Sequence, residues 1–183
     1  MVIRRKPLIF IALFLLVLFL LPIFTFANDS LIGSVAPAFK VISGKKEVLA
    51  SDDIKGKVAV LFYEAKSAIE QNRKLKTSLN VFYEGQPDSV KKDIVRIGVI
   101  NCQGVFFRGA WEKGLRDNSL KEGIAIYGDW DGKMSAGYHI KEDTSNVIVI
   151  DRKGIIRYYA SGKVEDRDIS MIEELLESLG KEN

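Results

Sequence analysis

One short run of this chain is apolar at every position; it reads Val58-Ala59-Val60-Leu61-Phe62-Tyr63. A strand with one face in water alternates apolar and polar residues, whereas a strand covered on both faces is apolar throughout. The run therefore predicts a central strand of an α/β sheet. Residues 94–100 are also largely apolar and predict a second buried strand.

Each of these strands is followed by a segment with helical periodicity. From Ser67 to about Tyr83, apolar residues fall on one stripe, with Lys and Arg elsewhere, as in a helix that packs one face on a core. A second pattern covers residues 104–120 and counts Phe106 and Phe107 among its apolar positions. Two glycines weaken this second helix prediction.

Shorter patterns complete the set of elements. Residues 41–49 predict a hairpin, residues 124–127 a short strand, and residues 147–159 two strands joined by a turn. The last helix is predicted over residues 169–179, with Gly180 at its end. The order β-hairpin, β, α, β, α, β, β, β, α predicts a three-layer α/β sandwich, in which helices flank a central mixed β-sheet.

The first 27 residues have a different composition from the rest. Three basic residues precede an uncharged apolar run at residues 8–26, and Thr25-Phe26-Ala27 offers small residues before a cut at Asn28. This order is typical of a secretory signal peptide; an uncleaved membrane anchor is the alternative. Either interpretation places residues 28–183, predicted as one domain, outside the cytoplasm.

The charge of the chain comes from its first residues alone. There are 27 Lys and Arg residues against 24 Asp and Glu residues, a net charge of +3. Residues 1–27 hold three of the basic residues and none of the acidic ones, so residues 28–183 carry 24 of each sign. A balanced domain without a Lys/Arg block does not attract nucleic acid. Contact with a membrane is expected only through residues 8–26, and only if this segment is not cleaved.

Cys102 is the single cysteine of the chain. One cysteine excludes an internal disulfide, Cys-x-x-Cys chemistry within the chain and a cysteine-rich metal site. Because Cys102 follows the second buried strand, it lies at an edge of the sheet where α/β proteins place their ligands. Two interpretations stay open: a one-thiol redox site, or a small buried apolar residue.

Several motifs in this order resemble the redoxin branch of the thioredoxin superfamily. Gly33-x-x-Ala36-Pro37-x-Phe39 is similar to the opening motif of peroxiredoxins and membrane-tethered thioredoxins. Residues 54–62 look like their strand leading to the active site, and Asp131-Gly132, Tyr138 and Val147–Gly154 like their later strands. The similarity covers about residues 33–179 and implies a thioredoxin-like sandwich.

The departures from this pattern concern the reactive positions. In working relatives the strand is followed by Cys-x-x-Cys at a helix start; here Ser67 and Glu70 occupy the two cysteine positions. Ser145 stands where relatives have a cis-proline. With these residues and the peroxidatic cysteine missing, the chain most resembles the cysteine-less YtfJ-like proteins. That resemblance implies export to the periplasm of a Gram-negative cell, a degenerate active site and no cofactor.

Ser67-x-x-Glu70 has the spacing of a helix capping box, in which the hydroxyl and the carboxylate each bind a free backbone N–H. The chemical alternative is a serine nucleophile, which needs a base. The one histidine, His139, is distant in sequence and has no Ser–His signature near it. The sequence therefore favours the cap.

Three acidic stretches, at Asp129, Asp131 and Glu142–Asp143, lack the regular ligand spacing of a Ca²⁺ loop. They are expected to be solvated turns, and a lone His139 is expected to be structural or surface. No metal is therefore expected.

Two functions from different classes remain. The leading hypothesis is a non-catalytic accessory protein of the cell envelope that binds another protein. The alternative is a one-cysteine thiol enzyme, a peroxidase or a mixed-disulfide partner, that uses Cys102.

The targeting segment gives a direct test. A reporter that is active only outside the cytoplasm, fused to the C-terminus, is expected to be active because residues 1–27 direct export. N-terminal sequencing of the mature protein should begin at Asn28 after cleavage and at Met1 for an anchor. Activity confined to a cytoplasmic reporter would refute export.

Overall fold

A computed structural model describes residues 31–182 of the chain. The targeting segment at residues 1–27 lies outside the described residues. Within residues 31–182, no helix is both long and apolar enough to cross a membrane.

Seven strands and five helices form the described part of the chain. The strands are β1 (Lys40–Ser43), β2 (Val48–Ala50), β3 (Val58–Glu64), β4 (Ile94–Asn101), β5 (Ala125–Asp129), β6 (Ser145–Ile150) and β7 (Ile156–Ser161). The helices are α1 (Arg73–Glu84), α2 (Asp88–Lys91), α3 (Arg108–Glu122), α4 (Lys133–Gly137) and α5 (Asp166–Lys181).

The strands form one mixed sheet in the order β2-β1-β5-β4-β3-β6-β7. β3 runs parallel to β4 and antiparallel to β6, and every one of its residues is buried. The predicted α/β sandwich with a central mixed sheet and an N-terminal hairpin is confirmed. The apolar run at residues 58–63 forms an inner strand because it meets packed side chains on both faces.

The two faces of the sheet are covered differently. Val58, Val60 and Phe62 point to one face, where they pack with residues of α1 and α5. The alternate residues of β3 point to the other face and pack with residues of α4 and of the segment before β1: Ala59, Leu61, Tyr63, Phe39, Met134 and Tyr138. Long helices therefore cover one face, and short segments cover the other.

The first long helix begins later than its sequence pattern predicts. Lys66–Ala68 form a single 3-10 turn, and α1 begins at Arg73, not at Ser67. The physical reason is Asn72, which has φ −109° and ψ 33°, outside the helical region. Its amide donates to the carbonyl of Gly162 at 2.9 Å and accepts from the N–H of Val164 at 2.9 Å. These bonds tie the residue to the segment that follows β7.

Other boundaries shift less. α3 begins at Arg108 and not near residue 104, and α5 continues through Gly180. The short helices α2 and α4 have no counterpart in the predicted order. Each spans at most five residues, which is too short for a periodic pattern to show.

Replacement of Asn72 by Ala tests the late helix start. The change leaves one half-buried carbonyl and one buried N–H without side-chain partners, and we expect it to lower the free energy of unfolding by about 2 kcal/mol. Asn118→Ala is the matched control, because that exposed amide bonds only to Gly114 within α3. Urea midpoints of the two variants measure the difference; equal midpoints would contradict the role of Asn72.

Candidate functional site

Three parallel strands end side by side at one edge of the sheet. β3 ends at Glu64, β4 at Asn101 and β5 at Asp129, and the register places Glu64 opposite Ile100 and Asn101 opposite Asp129. This is the carboxyl edge, where open α/β sheets hold their ligand sites. The candidate site residues lie on the strand ends and on the segments that follow them.

A buried ion pair occupies the end of β3. Glu64 is 4% exposed, and its Oε2 lies 2.7 Å from Nζ of Lys76 on α1. The hydroxyl of Ser145 donates to the other carboxylate oxygen at 2.8 Å, and Lys76 also donates to the carbonyl of Ile69 at 2.8 Å. Each charged group therefore has two bonding partners within the protein.

The protonation of Glu64 is set by two opposed effects. Burial raises the pKa of the Glu64 carboxyl, and the charge and hydrogen bond of Lys76, with the Ser145 hydroxyl, act to lower it. Each oxygen of the Glu64 carboxylate accepts one hydrogen bond from within the protein. We therefore assign Glu64 and Lys76 a structural role.

The expected capping box at Ser67 and Glu70 is wrong. Ser67 is exposed within the 3-10 turn, whose cap residue is Ala65, and no side-chain cap bond forms there. Glu70 instead holds the guanidinium of Arg73 through two bonds, 2.8 Å to Nε and 2.6 Å to Nη2. A bidentate charge-assisted pair is stronger than a bond to a neutral N–H, and it lowers the pKa of Glu70.

The turn at residues 66–72 is tied to the start of β6. One side-chain oxygen of Gln71 accepts from the hydroxyl of Thr144 at 2.7 Å and from the backbone N–H of Ser145 at 2.8 Å. Ser145 thus touches both this turn and Glu64. The structure brings Ser145 into the ion-pair cluster and leaves Ser67 outside it, on the surface.

Cys102 lies in a different cluster. It is 1% exposed and packs with residues of α3 and of neighbouring strands. Burial and the nearby charge of Asp129 raise the pKa of its thiol to about 12, against a smaller opposite effect of Arg108. The thiol is protonated near neutral pH, and this favours the buried-residue interpretation.

The expectation that Asp129 lies in a solvated turn is wrong. Its side chain is fully buried, and Oδ2 accepts from the hydroxyl of Tyr63 at 2.9 Å and from the N–H of Ser135 at 3.0 Å. Burial, with the charge of Asp129, raises the pKa of Tyr63. Oδ1 of Asp129 has no partner within the described part of the chain.

The remaining polar candidates lie at the surface. Asp131 is exposed and pairs with Lys133 at 2.7 Å, and Glu142, Asp143 and His139 are exposed as well. Across residues 31–182, no three His, Cys, Asp or Glu side chains are grouped to hold a metal ion.

An aromatic surface follows β4 at the same edge. Phe106 is 95% exposed and Phe107 is 78% exposed, and both precede α3, so the prediction that they lie on this helix is wrong. We call this pair the aromatic tip. Beside it, the guanidinium of Arg108 stacks on Trp130 at 4.4 Å and Nζ of Lys66 lies 5.4 Å from the ring of Trp111.

No protein-family model matches the sequence, and no curated protein matches it. Several solved structures are similar to this chain. A candidate protein disulfide isomerase from Bacteroides thetaiotaomicron is 16% identical, with a TM-score of 0.62, over 82% of this chain and 91% of that chain. The thioredoxin domain of a thiol-disulfide oxidoreductase from Bacteroides vulgatus is 20% identical, with a TM-score of 0.56, over 79% of this chain and 97% of that chain.

A third match is an exposed lipoprotein thioredoxin from Streptococcus pneumoniae, 19% identical, with a TM-score of 0.56, over 78% of this chain and the whole of that chain. The fold is thioredoxin-like. At these identities the likeness concerns the fold alone.

Within the thioredoxin-like fold, the chain lacks the Cys-x-x-Cys pair because it has one cysteine. The turn that carries Ser67 and Glu70 lies where the resemblance places the pair, and no α-helix begins there. A helix N-terminus stabilises a thiolate through its free N–H groups. This turn does not provide that arrangement.

Sequence reasoning missed the residues that dominate the carboxyl edge. Glu64 and Lys76 are 12 positions apart, and Tyr63 and Asp129 are 66 positions apart. One signal was visible: Glu64 is a charged residue directly after a doubly buried strand, and a buried charge requires a partner. The sequence did not indicate which lysine supplies it.

Replacement of Lys76 by Met tests the ion pair. The variant leaves the Glu64 carboxylate buried and unpaired, and we expect the free energy of unfolding near pH 7 to fall by about 3 kcal/mol. Glu64→Gln in the Lys76→Met background should restore most of this loss, because no charge is then buried. Lys181→Met, at the exposed pair with Glu177, should change the value by less than about 0.5 kcal/mol.

The same variant has a defined pH dependence. Without Lys76, the pKa of Glu64 in the folded state rises further above its unfolded value. The folded state then binds the proton more tightly, so stability is highest below the unfolded pKa and is lost as the pH rises through the folded pKa. Urea unfolding of Lys76→Met between about pH 5 and about pH 8 should show a steeper decline than the unmodified protein. Parallel curves would contradict the buried carboxylate.

Proposed function

We propose that this chain is an exported, non-catalytic protein of the cysteine-less YtfJ-like kind that acts in the cell envelope by binding another protein. The observation that carries the proposal is the buried Glu64–Lys76 pair at the carboxyl edge. Thioredoxin-like enzymes place a reactive thiol at this edge; this chain places a buried ion pair and an exposed serine there.

Location outside the cytoplasm is supported by the composition of residues 1–27. A basic start, an apolar run and a small-residue exit are the features that the export machinery reads. The similar lipoprotein thioredoxin of Streptococcus pneumoniae is described as exposed. For this chain we propose the periplasm, with the domain either free or held by residues 8–26.

The alternative thiol enzyme has less support. Thiol–disulfide exchange and peroxide reduction both need an accessible thiolate. The thiol of Cys102 is buried, with its pKa raised to about 12. The neighbouring Asp129 adds to this rise, where an activating site would supply a positive charge.

Thiol chemistry of the purified protein tests the proposal. We expect no reduction of insulin disulfides and no peroxide turnover. Maleimide should label Cys102 slowly in the folded protein near pH 7 and rapidly in urea, because unfolding removes the burial that keeps the thiol protonated. Cys102→Ala is the control for both assays. Peroxide turnover that disappears in Cys102→Ala would overturn the proposal and make Cys102 catalytic.

A further inference from the structure

The aromatic tip exposes two adjacent large apolar side chains. Phe106 is 95% exposed and Phe107 is 78% exposed. Phenylalanine side chains are usually buried in the core of a protein. A contiguous exposed apolar patch marks an interaction site. The pair stands on the loop between β4 and α3, so it protrudes from the carboxyl edge.

The loop is held at both ends. The side-chain oxygen of Asn101, the last residue of β4, accepts from the N–H of Gln103 at 3.0 Å. Gly104 turns the chain with φ +72°, in the left-handed region that glycine adopts without strain. α3 begins at Arg108, directly after Phe107. A tip fixed by a strand and a helix loses little conformational freedom on binding.

The surroundings of the tip have the composition of a protein–protein interface. Trp130 and Trp111 are half-buried, and Arg108 and Lys66 stack on their rings. Trp and Arg are the residue types that carry most of the binding energy at such interfaces. Lys66 has no carboxylate partner within the described residues, whereas Arg108 pairs with Glu112 at 3.0 Å. The unpaired charge next to the aromatic tip is therefore the positive charge of Lys66.

A lipid surface fits this tip less well. Membrane-binding surfaces combine exposed apolar residues with an excess of Lys and Arg. Residues 28–183 carry equal numbers of basic and acidic residues, and Lys66 alone does not supply an excess at the tip.

The position at which the described chain begins is a second argument against a lipid surface at the tip. The N–H of Gly33 donates to the carbonyl of Ile156 at 2.7 Å, at the edge of the sheet opposite the tip. Five residue steps separate residue 26 from residue 31 and span at most about 17 Å. If residues 8–26 anchor the domain, that opposite edge faces the membrane and the tip faces away from it.

We infer that the aromatic tip inserts into an apolar groove of a different protein, whose rim presents a carboxylate to Lys66. This inference rests on the proposed binding function and names its surface and the chemistry of its partner. Phe106 and Phe107 fill the groove, and the charge of Lys66 fixes the orientation.

Site-specific photo-crosslinking of the full chain in its native envelope tests the inference. A photoreactive phenylalanine replaces Phe106 in one strain and Val81 in the control strain; Val81 is 70% exposed on α1. We expect a discrete protein adduct from position 106 and none from position 81. Purified unmodified protein should compete for the adduct, and the Phe106→Ser/Phe107→Ser variant should not.

Binding to the purified captured protein provides the quantitative readout. We expect Phe106→Ser/Phe107→Ser to weaken binding by about 100-fold, and Lys66→Glu by about tenfold with greater loss at low salt. The urea midpoint of the double variant should equal that of the unmodified protein, because both rings are exposed. Equal midpoints would show that the variant loses binding without losing stability.

Each other outcome overturns the inference. Adducts with lipid, or flotation with phosphatidylethanolamine–phosphatidylglycerol vesicles, would assign the tip to a membrane. An adduct with the mass of two chains would make the partner a second copy. Equal adducts from positions 81 and 106, or none from 106, would remove the tip as the docking surface. A partner captured through position 81 alone leaves the proposed binding function standing, so the two failures are distinguishable.

Discussion

A single carboxylate at the end of a doubly buried strand constrains the rest of this structure. Glu64 follows an apolar run that is covered on both faces, so its charge has little access to water and requires a partner inside the protein. Lys76 supplies the opposite charge from α1, and Ser145 supplies a hydroxyl from β6. The positions of one helix and one strand relative to β3 are therefore fixed at this point.

The late start of α1 belongs to the same arrangement. Gln71 binds the start of β6, and Asn72 binds the chain beyond β7. These bonds hold residues 66–72 in a turn where the resemblance to redoxins predicts a helix start. Without aligned N–H groups at this position, the chain lacks the arrangement that lowers the pKa of a thiol. The departure from the redoxin pattern thus involves the backbone as well as the two cysteine positions.

The elements that the sequence predicted correctly depend on local pattern. The run at residues 58–63 and the last helix at residues 169–179 show periodicities that burial imposes on neighbours in the chain. The errors concern contacts between distant positions: Asn72 stops a helix by binding residues 90 positions away or more, and Asp129 is buried because Tyr63 meets it across the sheet. Apolar pattern also does not separate a buried ring from an exposed one, so Phe106 was misplaced.

A series of contacts connects the buried ion pair to the surface beside the aromatic tip. Replacing a buried ion pair by apolar residues is often neutral for stability, so such a pair is weak support for stability in itself. Here the ion pair determines where the neighbouring turn lies. Lys76 binds the carbonyl of Ile69 as well as Glu64, which places the turn of residues 66–72 against the strand end. That turn carries Lys66, whose ammonium lies over Trp111 on α3. The buried charge thus sets the position of a surface cation over Trp111, on the helix that follows the aromatic tip.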